Sequence, residues 1–192
     1  MNPVAAEELE ALEQAFGPFR HEAVELEVGP QSNEFWHPMR SQDRRGEVVL
    51  VLRVAPGQVL VHTKSFYPAG VYRLPTGGVR RGEPVLAALY REAKEETGLV
   101  VEAERLLGLV KYRFRSGQEE ARFASWVFCL RPLAPGPPRN QDAAERITGF
   151  RTVPVGELRA ISQALRDLPP PWQDWGRFRA VAHDLAAKEL GV

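Results

Sequence analysis

The sequence contains one cysteine, no long hydrophobic run and no excess of charge of either sign. A single thiol, Cys129, forms no internal disulfide, which excludes a secreted domain held together by such bridges. Because Cys129 lies in the apolar segment FASWVFCL, we expect a buried, inert thiol rather than a nucleophile. The longest clear apolar run, VVLVL at 48–52, is far shorter than the ~20 residues that span a bilayer.

The charges of the chain balance, with 25 basic and 25 acidic residues. Attraction to nucleic acids and to anionic membranes needs a basic excess, so neither general nucleic-acid binding nor membrane binding is expected. The first residues, MNPVAAEELEALEQAF, carry acids early and lack a basic segment followed by an apolar one, so no signal peptide is predicted. We therefore expect a globular protein of the cytoplasm.

The hydrophobic spacing predicts a mixed α/β domain. One helix lies between strands, and two more close the chain. Residues 29–46 and the Gly77-Gly78 pair are predicted to be loops. Helices are predicted at 3–16, 84–97, 154–167 and 172–190, and strands at 21–28, 48–54, 58–63, 72–74, 106–115, 122–130 and 147–153.

The helix predicted at 84–97 carries acids on one arc and apolar residues on another. At 100° per residue, Glu92, Glu95 and Glu96 share the acidic arc. Like charges at these spacings destabilise an isolated helix by about 0.2–0.5 kcal/mol per pair. The arc is therefore either a solvated surface or a site for a hard divalent cation, most naturally Mg²⁺.

Two neighbouring features favour a site for a metal and a phosphate chain. The segment with Gly77, Gly78 and Gly82 would let a backbone approach an anion or metal closely. Cations beside metal-binding carboxylates suit a phosphate chain, although solvation is the alternative explanation for the basic strand face. These cations are Arg73, Arg80 and Arg81 near the glycines, and Lys111, Arg113 and Arg115 on one side of a predicted strand.

The segment from Gly77 to Leu99 resembles the signature of the Nudix hydrolase superfamily, Gly-x5-Glu-x7-Arg-Glu-U-x-Glu-Glu-x-Gly-U, with U a bulky aliphatic residue. Ala93, smaller than the usual aliphatic, is the one departure. The resemblance implies a Nudix-type α/β/α sandwich with a mixed β-sheet, extended by an N-terminal helix and strand and by C-terminal helices. The fixed positions that match are Gly77, Glu83, Arg91, Glu92, Glu95, Glu96 and Gly98.

The resemblance also divides the chain into an N-terminal extension, residues 1–45, and a Nudix domain, residues 46–192. The extension resembles the additions through which ADP-ribose-type Nudix enzymes dimerise. We therefore expect a homodimer.

The roles of individual residues follow from the resemblance. It implies metal binding by Glu92 and Glu96, with Glu95 as a third ligand or orienting base and the carbonyl near Gly77 as a further ligand. Arg91 is expected to pair with a motif glutamate, and Glu83 to tie the loop to the helix. A further acid is expected beyond the motif, with Glu119 and Glu120 as candidates. The predicted substrate contacts are Arg73, Gly78, Lys111, Arg113 and Arg115.

The implied reaction is Mg²⁺-dependent hydrolysis of a nucleoside diphosphate linked to another moiety, with Mn²⁺ as a substitute. ADP-ribose or a nucleotide-sugar is favoured, then dinucleoside polyphosphates and (d)NTPs. The proline that marks ADP-ribose enzymes would fall at Phe114, and the tyrosine of dinucleoside polyphosphate enzymes at Arg115; both are absent.

Two questions stay open at the level of sequence. The aromatic residues Phe35, Trp36, Tyr67 and Tyr72 either stack on a base or pack in the core. The alternative to an enzyme is a catalytically silent Nudix module that senses a nucleotide. The complete set of glutamates argues against that alternative.

Overall fold

The computed structural model describes residues 3–32 and 43–192. Two short helical turns, Ala143–Glu145 and Val155–Glu157, flank the last strand. The elements in chain order are α1 (Ala6–Phe16), β1 (Arg20–Glu27), β2 (Arg44–Ala55), β3 (Gln58–Lys64), β4 (Thr76–Arg80), α2 (Val85–Thr97), β5 (Val101–Ser116), β6 (Glu119–Pro132), β7 (Ile147–Pro154), α3 (Leu158–Arg166) and α4 (Gln173–Glu189).

The strands form a mixed sheet in the order β1-β5-β6-β2-β3-β7, with β4 also paired to β2. The β1–β5 and β2–β6 pairs are parallel, and the other pairs are antiparallel. Strand β2 pairs with β4 along its first part and with β3 only near its end. The sheet therefore forks beside β2, between β4 and β3.

Helices cover both faces of this sheet, because strand side chains alternate between the faces. Leu89 of α2 packs on one face with Trp126 and Phe128 of β6. Phe178 of α4 packs on the opposite face with Tyr112 of β5. The predicted α/β/α sandwich with a mixed sheet is thus confirmed.

The N-terminal elements belong to the same sheet and core. Strand β1 pairs with β5 from Arg20 opposite Gly108 to Glu27 opposite Arg115. Leu12 of α1 is buried in the core beneath α2. The boundary of the N-terminal extension after residue 45 stays a prediction, and so does its role in dimerisation. Among the described helices, none is long and apolar enough to cross a membrane.

Three predicted segments differ from the structure. Gly77 and Gly78 lie in strand β4 rather than in a loop, whereas the predicted strand 72–74 forms a single bridge between Arg73 and His62. Neither glycine has a positive φ, so both are compatible with extended backbone. Strand β2 begins at Arg44, inside the predicted loop 29–46, of which residues 33–42 lie outside the described ranges.

Candidate active site

Helix α2 places its acids at the fork of the sheet. Its one-turn spacing puts Glu92 and Glu96 on the face that packs toward β4 and β3. The side chain of Glu92 is 7% exposed, that of Glu96 is 0% exposed and that of Glu95 is 39% exposed. The helix ends at Gly98 as predicted, where φ is 69° and the N–H donates to the carbonyl of Lys94 at 2.9 Å. Two of the three motif acids are therefore buried.

Strand β4 passes so close to α2 that only glycine fits at position 77. A Cβ on Gly77 would lie 2.0 Å from Cγ and 2.3 Å from Oε2 of Glu92, far inside van der Waals contact. The glycine therefore provides space for the carboxylate. As a result, the backbone of β4 and the acid of α2 face each other directly.

Arg91 joins the acids of α2 to the preceding chain. Its guanidinium donates two bonds to Glu83, at 2.8 and 2.9 Å. It also donates to Glu92 at 2.6 Å, to Glu95 at 3.1 Å and to the carbonyl of Gly78 at 2.9 Å. The bond from Arg91 holds the pKa of Glu83 below its ordinary value. Such a planar fork fixes orientation as well as charge.

Glu83 extends this network into the segment between β4 and α2. Its Oε2 accepts the backbone N–H of Arg80 at 3.0 Å. The loop and the helix are therefore linked through one carboxylate and one guanidinium.

Glu96 has a second set of neighbours, contributed by β3. Lys64 Nζ donates to Glu96 Oε1 at 3.0 Å and also to Glu145. Within the described part of the chain, Oε2 of Glu96 and both ring nitrogens of His62 are buried without a hydrogen-bond partner. The distance from His62 Nδ1 to Glu96 Oε2 is 4.0 Å. Burial raises the pKa of Glu96 to about 7 and lowers the pKa of His62 well below its ordinary value.

Glu145 is a site residue that sequence reasoning missed, as it missed Lys64 and His62 of β3. It ends the short turn Ala143–Glu145, in the connection between β6 and β7. Burial opposes its ionisation, but the hydrogen bond and charge of Lys64 lower the pKa of Glu145 overall. Its charge also raises the pKa of Glu92, after the larger effect of burial. The segment QDAAER carries no pattern that could have indicated this position.

The predicted acids Glu119 and Glu120 lie elsewhere, at the start of β6. Glu120 accepts bonds from Arg113 at 2.6 Å and from Arg122 at 3.3 Å. Glu119 is exposed opposite Ser116 in the β5–β6 hairpin. The geometry therefore favours Glu145 over both as the acid beyond the motif.

The basic residues predicted to bind substrate have different surroundings. Arg113 and Arg115 form exposed ion pairs with Glu25 of β1, at 3.2 and 3.7 Å. Lys111 is exposed on the same strand. Gly78 directs its carbonyl toward Arg91. The structure does not gather these side chains around the acids of α2.

Arg73 is a correction to the predicted set. It is only 2% exposed. Its guanidinium donates to the carbonyl of Leu74 at 2.6 Å, to Oγ1 of Thr76 at 3.0 Å and to Oη of Tyr67 at 2.8 Å. It therefore holds the chain that enters β4 instead of facing the open site.

The aromatic residues singled out in the sequence divide into two groups. Phe35 and Trp36 lie outside the described residues. Tyr67 packs at 4.9 Å from the Trp175 ring, and Arg151 lies 4.9 Å above the ring of Tyr72. The two described residues therefore have packing roles.

The donor chemistry of the site fits a hard divalent cation. Glu92, Glu96 and Glu145 supply carboxylate oxygens, the donors that Mg²⁺ prefers. The buried Oε2 of Glu96 has no partner among the described residues, and the Glu92 carboxylate lies directly against the backbone of Gly77. In the described ranges, no three His, Cys, Asp or Glu side chains are gathered closely enough to hold a metal ion. Instead, Arg91 and Lys64 bind these oxygens.

Helix α2 carries the motif acids and packs against the glycines of β4, at the fork of a mixed sheet between helices. A family model described as NUDIX domain matches residues 43–173, more than half of the chain. The chain therefore belongs to the Nudix family and is a hydrolase of phosphorus-containing anhydrides. No curated protein sequence matches it.

Solved structures show the same fold. A NUDIX hydrolase from Nitrosomonas europaea is 21% identical, with 77% of this chain and 90% of that chain aligned at a TM-score of 0.53. A UDP-X diphosphatase is 15% identical, with 98% of this chain and 72% of that chain aligned at a TM-score of 0.51. The second alignment takes in nearly the whole chain.

Proposed function

We propose that the protein is a Mg²⁺-dependent pyrophosphohydrolase that cleaves the diphosphate of a nucleoside diphosphate linked to another moiety. The main support is the buried Glu96 carboxylate, which has an oxygen without a partner among the described residues and lies one turn from Glu92. Burying such acids is unfavourable unless a cation satisfies them. Mn²⁺ is proposed as a substitute, because it prefers the same oxygen donors.

Five groups are proposed to hold the metal: the carboxylates of Glu92, Glu95, Glu96 and Glu145, and the carbonyl of Gly77. Glu145 is proposed in place of Glu119 and Glu120, the acids predicted from the sequence, because Glu145 shares Lys64 with Glu96. When bound, a divalent ion supplies charge neutralisation at the diphosphate and lowers the pKa of a nearby water.

The residues of the chain itself are proposed to orient the reaction. Arg91 donates from Nη1 to both Glu92 and Glu95, which preorganises both carboxylates. Glu95 is the most exposed of the motif acids, and its bond to Arg91 uses Oε2. Its Oε1 is therefore proposed to orient the attacking water or accept its proton.

The substrate is proposed to be ADP-ribose or a nucleotide-sugar, ahead of dinucleoside polyphosphates and (d)NTPs. A UDP-linked compound is a further candidate, because the UDP-X diphosphatase shares the fold. Arg113 and Arg115 are proposed to contact substrate by exchanging their exposed ion pairs for phosphate, and Lys111 is proposed to contact it through its exposed charge. A cytoplasmic location and a homodimer complete the proposal, both on sequence grounds.

A phosphate-release screen tests this proposal. The purified chain is incubated with each candidate substrate and Mg²⁺ or Mn²⁺, with a phosphatase added to expose new terminal phosphates. We expect turnover of one dominant substrate, and loss of turnover in EDTA. Glu96→Gln should reduce kcat by about a hundredfold or more, because it removes a charged metal ligand.

Glu10→Gln is the matched control, since Glu10 is an exposed acid of α1. A folded Glu96→Gln protein with near-normal kcat would contradict the metal role. Tight nucleotide binding with no turnover in either metal would favour the sensing module instead.

A further inference from the structure

Lys64 is the last residue of β3, and it reaches the acids because of the strand period. One face of β3 carries Leu60, His62 and Lys64, because every second residue of a strand lies on the same face. This face therefore passes from the apolar core to the acidic site. The Lys64 side chain is 8% exposed, and Glu96 beside it is fully buried. The ammonium group of Lys64 thus lines the site.

This ammonium group lies between two carboxylates that come from distant parts of the chain. It is 3.0 Å from Oε1 of Glu96 on α2, and it donates at the same time to Glu145. A single cation therefore bridges two acids, and the same two carboxylates would help to hold a divalent ion.

The two cations of the site are held to very different degrees. Arg91 makes five hydrogen bonds through a rigid planar group to three acids and a backbone carbonyl. Lys64 makes two, through a compact charge on a flexible four-carbon stem. The Glu92 end of the site is therefore fixed, whereas the contacts at the Glu96 end can exchange.

We propose that Lys64 is an internal counter-cation that competes with the divalent metal for Glu96 and Glu145. The ammonium group satisfies the two acids when no metal is bound, and the arriving ion displaces it from them. This inference rests on the proposed function, because it takes Glu96 and Glu145 as metal ligands. It adds that the chain itself sets the metal affinity.

The competition has a direct electrostatic reason. A unit positive charge 3 Å from a ligand oxygen repels a second cation strongly where water is excluded. The ammonium group holds Oε1 of Glu96 and an oxygen of Glu145, so a metal that takes these two carboxylates as ligands must carry the free energy of breaking the Lys64 contacts. Removing the ammonium group should therefore tighten metal binding.

Mn²⁺ binding to the full chain tests this, with dissociation constants measured by electron paramagnetic resonance. We expect Lys64→Met to bind Mn²⁺ about tenfold more tightly than wild type or better. Lys64→Arg keeps the charge and should not tighten binding. Lys94→Met is the matched control, because Lys94 is an exposed lysine on α2, the helix that carries Glu96.

If Lys64→Met binds Mn²⁺ no more tightly than Lys94→Met, the inference is wrong. If neither Lys64→Met nor Lys64→Arg allows the protein to fold, the unaltered chain still provides a test. Its four lysines are Lys64, Lys94, Lys111 and Lys188. Acetylation mapped by mass spectrometry should show faster modification of Lys64 when Mg²⁺ or Mn²⁺ is added, with the other three unchanged as internal references.

The outcomes separate the two levels of the argument. A wild-type protein that binds Mn²⁺ while Lys64 acetylation stays slow overturns this inference alone. A wild-type protein that binds no divalent ion overturns the proposed function together with it. Tightened binding in Lys64→Met, with faster acetylation in wild type, supports both.

Discussion

At the scale of single residues, the site depends on two glycines, because neighbouring side chains occupy the space that a Cβ would fill. Gly77 lacks the Cβ that would collide with Glu92, and Gly78 lacks one that would lie 2.6 Å from Nε of Arg44. The sequence placed Gly77 at a fixed position of the motif, with Gly78 beside it. It could not show that both belong to a strand, because the neighbours that require glycine, Glu92 of α2 and Arg44 of β2, are brought there by tertiary packing.

Gly77→Ala tests the close approach directly. The added methyl group would displace the Glu92 carboxylate, so we expect kcat to fall by about a hundredfold or more while the fold is retained. Gly156→Ala is the control, since no atom lies within 4 Å of a Cβ built there. Steady-state kinetics measures kcat of both variants, and circular dichroism checks that both are folded. Unchanged kcat in folded Gly77→Ala would contradict the geometry.

His183 makes the stability of the fold dependent on pH. Its Nε2 accepts the N–H of Leu74 at 3.0 Å, and its Nδ1 lies 2.8 Å from the carbonyl of Arg179. A neutral ring satisfies both bonds. Burial lowers the pKa of His183 to about 4. The charges of Arg73 and Arg179 also lower this pKa, whereas the charge of Asp184 raises it.

The sign of the effect follows from proton binding. Below its ordinary pKa, His183 is protonated in the unfolded chain but stays neutral in the folded one, so stability is lost as pH falls from about 6.5 toward 4. Urea unfolding at about pH 7 and pH 5 should show wild type losing about 2 kcal/mol more than His183→Gln. Equal losses in both proteins would show that the ring is not held neutral.

At the scale of elements, hydrophobic period identified α2 and most strands, because each buries one face against the core. The same reasoning missed Glu145, which is brought to the site by a connection between β6 and β7. Its position is set by tertiary contacts with Lys64, and local sequence carries no information about them.

The N-terminal helix and strand should be required for folding. Phe16 of α1 packs edge-on against Phe128 at 5.6 Å, and β1 covers the edge of β5 along 108–115. A fragment of residues 46–192 would expose this apolar surface and an unpaired strand edge. We expect it to aggregate or to melt at a much lower temperature than the full chain.

Thermal melts followed by circular dichroism, with size-exclusion chromatography, check this expectation. A soluble 46–192 fragment that melts cooperatively at the temperature of the full chain would contradict it. That result would instead support the predicted boundary between the N-terminal extension and an independent Nudix domain.

At the scale of the whole molecule, the fold class and the family could be predicted from 23 residues, because the motif requires its strand and helix context. Assembly could not, since it depends on surfaces rather than on the motif. The homodimer is a prediction that light scattering can decide. We expect a species of twice 21.5 kDa, and a clean 21.5 kDa species would refute it.

The bridge between His62 and Arg73 links the two faces of the sheet. Their backbones exchange hydrogen bonds of 2.9 and 3.0 Å, while the His62 ring lies beside Glu96 and the Arg73 guanidinium bonds Thr76. Thr76 also accepts a bond from Arg179 of α4 at 3.4 Å. A random mutational screen for lost activity should therefore recover substitutions in α4, although this helix carries none of the proposed metal-binding acids.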